Sequence, residues 1–157
     1  LLLPEAANAG QTAAIQRRFA QSLGAASGRV KFFGRRSRAE FIELIAACDV
    51  LLDPFPVGGG ISTWDALAAG TPIVTLPGTA MRSRFASAAL ARAGLTATVA
   101  ADAAHYSALA VQMAQDREAR DSWRMQMVTA AGEIHRDSTA VAEWVAAVLA
   151  ATNTASA

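Results

Sequence analysis

One cysteine, Cys48, is all that this sequence of 157 residues contains. It can form no intramolecular disulfide, and without partner thiols the usual structural zinc sites are excluded. A reducing compartment, the cytoplasm, is the expectation. Histidine is nearly as scarce: His105 and His135 are the only two, and with no motif around either, both read as surface or structural groups. There is no Asp-x-Asp pair and no His/Asp/Glu set at ligand spacing, so no metal site is expected. An excess of one charge is also lacking. Fourteen basic residues against thirteen acidic ones leave a net charge of +1, which gives no field to attract a nucleic-acid backbone. Hydrophobic residues reach 53%, but 39 alanines inflate that figure, and no run approaches the roughly 20 apolar residues that span a bilayer. The opening Leu1-Leu2-Leu3-Pro4 has no initiator Met and no basic stretch, and its apolar run is too short for a signal peptide. It reads as the end of a buried strand whose preceding residues are missing. The expectation is one domain over residues 1–157, part of a larger protein.

What is present is an alternation of short apolar runs with longer segments of helical period, the pattern of parallel βα units. Ile15, Phe19 and Leu23 share one face of a helix over about Gln11 to Leu23. Val30 to Phe33 reads as a strand, and Phe41, Leu44, Ile45 and Cys48 mark the buried stripe of the next helix. Val50-Leu51-Leu52 is a further strand, followed by the loop Gly58-Gly59-Gly60 and a helix to about Ala69, which Gly70 closes. Pro72 to Leu76 predicts a strand, Arg82 to Ala93 a helix stopped by Gly94, and Thr96 to Val99 a short strand. Three helical patterns remain, from about residue 103: Tyr106, Leu109, Ala110 and Met113; Trp123 and Met127; and Val141, Trp144, Val145, Val148 and Leu149. Ala150 to Ala157 is small and polar enough to fray. The fold class predicted is α/β, a Rossmann-like parallel sheet flanked by helices, with a C-terminal helical extension.

The segment richest in chemistry runs from Asp53 through Pro54-Phe55-Pro56-Val57-Gly58-Gly59-Gly60-Ile61-Ser62-Thr63-Trp64-Asp65. A glycine-rich loop between the carboxyl end of a strand and the first turn of a helix offers backbone N–H groups at the positive end of the helix dipole, which suits a phosphate. An alternative is purely structural: Ser62-Thr63-Trp64-Asp65 has capping-box spacing, with Ser62 capping the helix and Asp65 reaching back. Spacing alone leaves both open. Neither G-x-G-x-x-G nor Gly-Lys-Ser/Thr is present, which speaks against a dehydrogenase or a P-loop kinase.

Ala-Cys-Asp-Val-Leu-Leu-Asp-Pro-Phe-Pro-Val-Gly-Gly-Gly, followed by Ser-Thr-Trp-Asp-Ala-Leu-Ala-Ala-Gly-Thr-Pro-Ile-Val-Thr-Leu-Pro-Gly, resembles the donor-binding lobe of the O-GlcNAc transferase and SPINDLY-type glycosyltransferases, most of all the bacterial members. The resemblance extends through Arg82-Ser83-Arg84, Gly94-Leu95, Tyr106, Asp116 and Arg117. It implies the second Rossmann-like lobe of a GT-B enzyme, partnered in the parent chain by an N-terminal lobe and tetratricopeptide (TPR) repeats. A nucleotide-sugar donor, expected to be a UDP-sugar, would be a substrate rather than a permanently bound cofactor, and the acceptor would be protein.

By the same resemblance, Gly58, Gly59, Gly60, Ile61 and Ser62 would hold the donor diphosphate, and Asp65 would accept from the ribose hydroxyls. In the segment Gly34 to Phe41, Arg38 would replace a family lysine and Phe41 a group stacking on the base. Arg84 would anchor the loop to its helix. Transfer would be inverting and metal-independent, with the leaving diphosphate stabilised by helix dipole and hydroxyls. No catalytic residue is assigned, because the general base and acceptor site belong largely to the other lobe, and this chain alone is expected to be inactive. One departure bears on the donor: where animal members carry His-Thr-Thr, this sequence has Gly60, Ile61 and Ser62. Two alternatives follow, a non-catalytic nucleotide-binding or interaction module that keeps the fold, and a transferase acting on lipid or glycan.

Overall fold

The computed structural model describes residues 2–4 and 9–154; Leu1, within the expected first strand, and residues 155–157, within the segment expected to fray, lie outside them. Chain contacts divide the molecule into two compact units, Leu1–Phe41 and Ile42–Ala157. In the first, β1 (Leu2–Pro4) and β2 (Lys31–Phe33) pair in parallel, Leu3 opposite Phe32. The crossover is α1 (Ala9–Leu23) and a 3-10 turn over Gly24–Arg29. Phe19 of α1 meets Phe32 edge-on, ring centroids 6.4 Å apart. The stripe of Ile15, Phe19 and Leu23 fades at its end, where Leu23 is exposed.

Helix α2 (Arg38–Ala46) begins with a reciprocal cap. The Glu40 N–H donates to the Ser37 hydroxyl at 3.3 Å, and the Ser37 N–H donates to the Glu40 carboxylate at 2.9 Å, satisfying two donors that the helix start leaves open. The Ser37 N–H, with its hydroxyl adding, holds the Glu40 carboxyl below the usual carboxylate range.

The second unit repeats the strand-helix-strand plan. β3 (Leu51–Leu52) and β4 (Ile73–Val74) pair in parallel, Leu51 opposite Ile73, and α3 (Ile61–Ala69) makes the crossover. The strand expected over Pro72 to Leu76 is shorter in the structure. Pro72 has no N–H to give a ladder, and at Thr75 the pairing shifts to a single bridge with Val99. The strand expected over Thr96 to Val99 is instead a 3-10 turn, Thr96–Thr98; its tight winding leaves only the Thr75 N–H to the Thr98 carbonyl and the Ala100 N–H to the Thr75 carbonyl. The helix expected from Arg82 is also divided: a 3-10 turn, Met81–Ser83, precedes α4 (Phe85–Arg92). The buried Ser83 hydroxyl donates to the Ala80 carbonyl at 2.6 Å, a local bond that competes with helix continuation.

The helical extension follows as expected: α5 (Ala103–Gln115), α6 (Arg117–Arg136) and α7 (Thr139–Thr154). Asp102 caps α5 by accepting from the His105 N–H, and Asp116 caps α6 by accepting from the Ala119 N–H. A hydrophobic cluster of Val74, Ala100, Leu109 and Met113, flanked by Leu52, Tyr106 and Trp123, joins β4 to α5 and α6. Arg124 of α6 donates to the Ala46 and Cys48 carbonyls at the end of α2, and Arg120 to the Met113 and Ala114 carbonyls at the end of α5. Val141, Trp144, Val145, Val148 and Leu149 of α7 are exposed. No helix among the described residues is long and apolar enough to cross a membrane.

Candidate functional site

The glycine loop leaves β3 at Asp53, and that residue decides its shape. Asp53 is only 3% exposed, a position where a carboxylate is tolerated only if hydrogen-bonded. It is: Oδ1 accepts from the Gly59 N–H at 2.6 Å and Oδ2 from the Thr75 hydroxyl at 2.7 Å. Its backbone is held as well, the N–H donating to the Val74 carbonyl at 2.9 Å and the carbonyl accepting from the Tyr106 hydroxyl at 3.0 Å. Burial, with the Asp53 charge adding, pushes the Tyr106 phenol up to about 12. Phe55 packs edge-on against the Tyr106 ring, centroids 5.3 Å apart.

This close wrapping is why the loop is glycine. A Cβ on Gly58 would stand 2.9 Å from Asp53 Oδ2, and one on Gly59 would stand 2.6 Å from the Ser62 hydroxyl oxygen. At Gly60 a Cβ would meet nothing within 4 Å. The Gly58 N–H donates to the Arg82 carbonyl at 3.1 Å, so the backbone of Arg82 ties the loop to the segment ahead of α4. Arg84 takes a different part, its carbonyl receiving the Ser87 hydroxyl and the Ala88 N–H at the start of α4.

Helix α3 starts at Ile61 with Gly60 as its N-cap and no side-chain cap bond. Ser62 is thus inside the first turn, not the capping residue that its spacing suggested. The three glycines release the chain two residues earlier, and Thr63 secures the turn, its N–H donating to the Gly60 carbonyl and its hydroxyl to the Gly59 carbonyl, both at 3.1 Å. A reciprocal capping box is seen instead at Ser37 and Glu40.

Among the described residues the N–H groups of Gly60, Ile61 and Ser62 have no acceptor, whereas those of Gly58 and Gly59 are engaged within the protein. Three donors at the positive end of a nine-residue helix form a place for an anion. Of the residues singled out in the sequence, Gly58, Gly59, Gly60, Ile61, Ser62 and Asp65 lie on this loop and helix in the second unit. Asp65 is buried, at 6% exposure, within α3. Arg38 and Phe41 belong to the first unit, in the opening turn of α2, where Arg38 is exposed and Phe41 half-buried.

Asp53, Thr75 and Tyr106 are the site residues that the sequence reading did not single out. A carboxylate closing an apolar strand directly before Pro-x-Pro and three glycines was the available signal; its partners, Thr75 just after β4 and Tyr106 in α5, had none. The histidines have structural roles: His105 Nδ1 accepts from the Ala101 N–H, and the His135 ring lies against Trp64. The Cys48 thiol donates to the Leu44 carbonyl, and burial, then the Asp49 charge, pushes it up. Among the described residues no group of three or more His, Cys, Asp or Glu is placed to hold a metal ion.

A sequence model described as glycosyl transferase family 41 matches residues 3–138. Among solved structures, the chain is similar to a mutant O-GlcNAc transferase from Thermobaculum terrenum, with a TM-score of 0.78 and 24% sequence identity over 87% of this chain. That likeness is one of fold, and this chain spans 26% of the length of that one.

Proposed function

This chain belongs to glycosyl transferase family 41, and from that premise we propose that it is the nucleotide-sugar-binding half of a glycosyltransferase that attaches sugar from a UDP-sugar donor to protein hydroxyls. The observation that carries this reading is the set of N–H groups of Gly60, Ile61 and Ser62, which have no acceptor among the described residues and sit at the start of α3 beside a loop braced by Asp53. A diphosphate seated there accepts from these amides, and as the bond to the sugar breaks, negative charge grows on the oxygens they face. Donors fixed in place beforehand stabilise that charge without reorganising, at the moment when it matters to the rate. The Ser62 hydroxyl adds a fourth donor on the same turn. This gives the leaving group a metal-independent form of stabilisation, consistent with inverting transfer by direct attack of the acceptor.

Asp65 lies one helical turn further along α3, at the position that would accept from the ribose hydroxyls. Arg38 and Phe41 are proposed as contacts of the base on the family resemblance alone. The acceptor hydroxyl and its general base belong to sequence outside this chain, in an N-terminal lobe preceded by TPR repeats, so these 157 residues alone bind donor without transferring it. The expected place of action is the cytoplasm.

Calorimetric titration of the purified protein with UDP, UDP-GlcNAc, GDP and uridine, each with and without a chelator, tests the reading. UDP and UDP-GlcNAc should bind equally well with the chelator present, GDP and uridine at least about tenfold more weakly, since one bidentate or charged contact contributes about 1.5–3 kcal/mol. Equal binding of UDP and uridine would overturn the phosphate role of the loop, and loss of binding with chelator would overturn metal independence.

A further inference from the structure

Asp53 has a charge, a position and a set of partners that the donor site as described leaves unexplained. A residue needed only for packing at 3% exposure would be apolar. Here a carboxylate is kept, and both of its oxygens are engaged, one by the loop through the Gly59 N–H and the other by the Thr75 hydroxyl just after β4. Thr75 itself is fully buried. Tyr106 of α5 clamps the Asp53 carbonyl from the other side. The carboxylate thus ties the loop to Thr75 while the backbone carbonyl ties Asp53 to α5, and Gly58 is pressed so close that a Cβ would stand 2.9 Å from Oδ2.

We propose that Asp53 is a positioning residue of the donor site: by taking the Gly59 N–H inward, it fixes that peptide plane and so presents the following three N–H groups, of Gly60, Ile61 and Ser62, together to the diphosphate. This rests on the donor-loop reading above and extends it to a residue that never touches the ligand. The physical reason is preorganisation. A glycine triplet left to itself has more conformational freedom than any other tripeptide, and ordering it on binding would reduce affinity. A bond to a charged acceptor orders it beforehand. The negative charge has a second consequence. Of the two acceptors available to the Gly59 N–H, carboxylate beneath or phosphate above, the nearer and already desolvated one keeps it, so Gly59 is not a ligand contact.

The test compares Asp53→Asn, Asp53→Ala and Thr75→Val with the wild-type protein, reading UDP affinity, uridine affinity and the Gly59 amide proton shift. Asn keeps a carbonyl oxygen for the Gly59 N–H and can donate its amide to the Thr75 hydroxyl, which turns from donor to acceptor. It should bind UDP within about fivefold of wild type, whereas Ala should weaken UDP at least about tenfold, in line with losing a charge-assisted hydrogen bond. Uridine affinity should stay within about twofold in every variant, because the loop donors meet only phosphate. The Gly59 amide proton should move upfield in Ala.

If Ala fails to fold, Thr75→Val decides, since it conserves shape while removing one support of the carboxylate; UDP should then weaken by about threefold or more. Wild-type UDP affinity in Asp53→Ala or in a folded Thr75→Val, or an equal loss of UDP and uridine affinity, would overturn the positioning role alone. Absence of UDP binding by the wild-type protein would instead overturn the donor-loop reading, and this inference with it.

Discussion

Replacing the three loop glycines one at a time by alanine should give three different results, and the order follows from what each new methyl group meets. At Gly58 the Cβ would lie 2.9 Å from Asp53 Oδ2, closer than real Cβ atoms come to an oxygen, so one of the two must shift. Neither is free to. The carboxylate is buried and held by bonds of 2.6 and 2.7 Å, and Gly58 is tied to the Arg82 carbonyl at 3.1 Å. Losing one of the carboxylate bonds costs about 1.5–3 kcal/mol, offset by about 0.4–1 kcal/mol from the reduced freedom of the unfolded chain. Gly58→Ala should therefore destabilise by about 0.5–2.5 kcal/mol. At Gly59 the obstacle is the Ser62 hydroxyl, 2.6 Å away, which can rotate aside at a cost of about 1 kcal/mol. At Gly60 the methyl meets nothing within 4 Å, and stability should stay within about 1 kcal/mol of wild type. Urea unfolding at constant m-value measures all three. A Gly58→Ala protein as stable as Gly60→Ala would refute the account of why the loop is glycine.

Three further outcomes are expected. Gly70 and Gly94 share a φ of 71°, so alanine at either incurs the left-handed backbone penalty of about 1–2 kcal/mol. Only at Gly70 would the added Cβ meet neighbours, the Arg124 carbonyl oxygen at 3.1 Å and Val128 Cγ2 at 3.0 Å, so Gly70→Ala should be the more destabilising in the same unfolding assay, and equal losses would count against the α3–α6 packing. Tyr106 is the sole tyrosine, so tyrosinate absorbance reports it alone and should titrate at about 12. With the folded value raised above the ordinary 10, its contribution to stability is fully present below about pH 10 and falls as pH rises towards 12; titration near 10 in the folded protein would contradict its burial over Asp53. The Cys48 thiol, pushed up by burial, should react with a disulfide reagent more slowly than a free cysteine at neutral pH, and reaction at the free rate would show that it is not shielded.

Much of the fold was legible because apolar runs and helical stripes are local signals. Leu51-Leu52, the stripe through Tyr106, Leu109 and Met113, and the glycines at 70 and 94 each announced their element without help from distant residues. The errors arose where a partner far along the chain decides. Thr96 to Val99 has the composition of a strand, yet it pairs with Thr75 only through the single Val99 bridge, made by the Thr98 carbonyl and the Ala100 N–H, and Thr96 to Thr98 wind into a 3-10 turn. Ser62 and Asp65 have the spacing of a capping box, but Gly60 caps the helix two residues sooner. In the site, the loop itself could be read from its glycines, while the position of Asp53 ahead of them marked the residue but not its bonding role. Its role depends on Thr75, 22 positions away, and on Tyr106, 53 positions away, and no local pattern encodes such distances.

The most direct test of the central claim is an amide-resolved NMR titration of the protein with UDP. The account predicts saturable shifts largest at the N–H groups of Gly60, Ile61 and Ser62, with Gly58 and Gly59 moving little because the Arg82 carbonyl and the Asp53 carboxylate already hold them. Shifts centred on Gly58 and Gly59, or shifts that leave the start of α3 unmoved while UDP binds elsewhere, would contradict it.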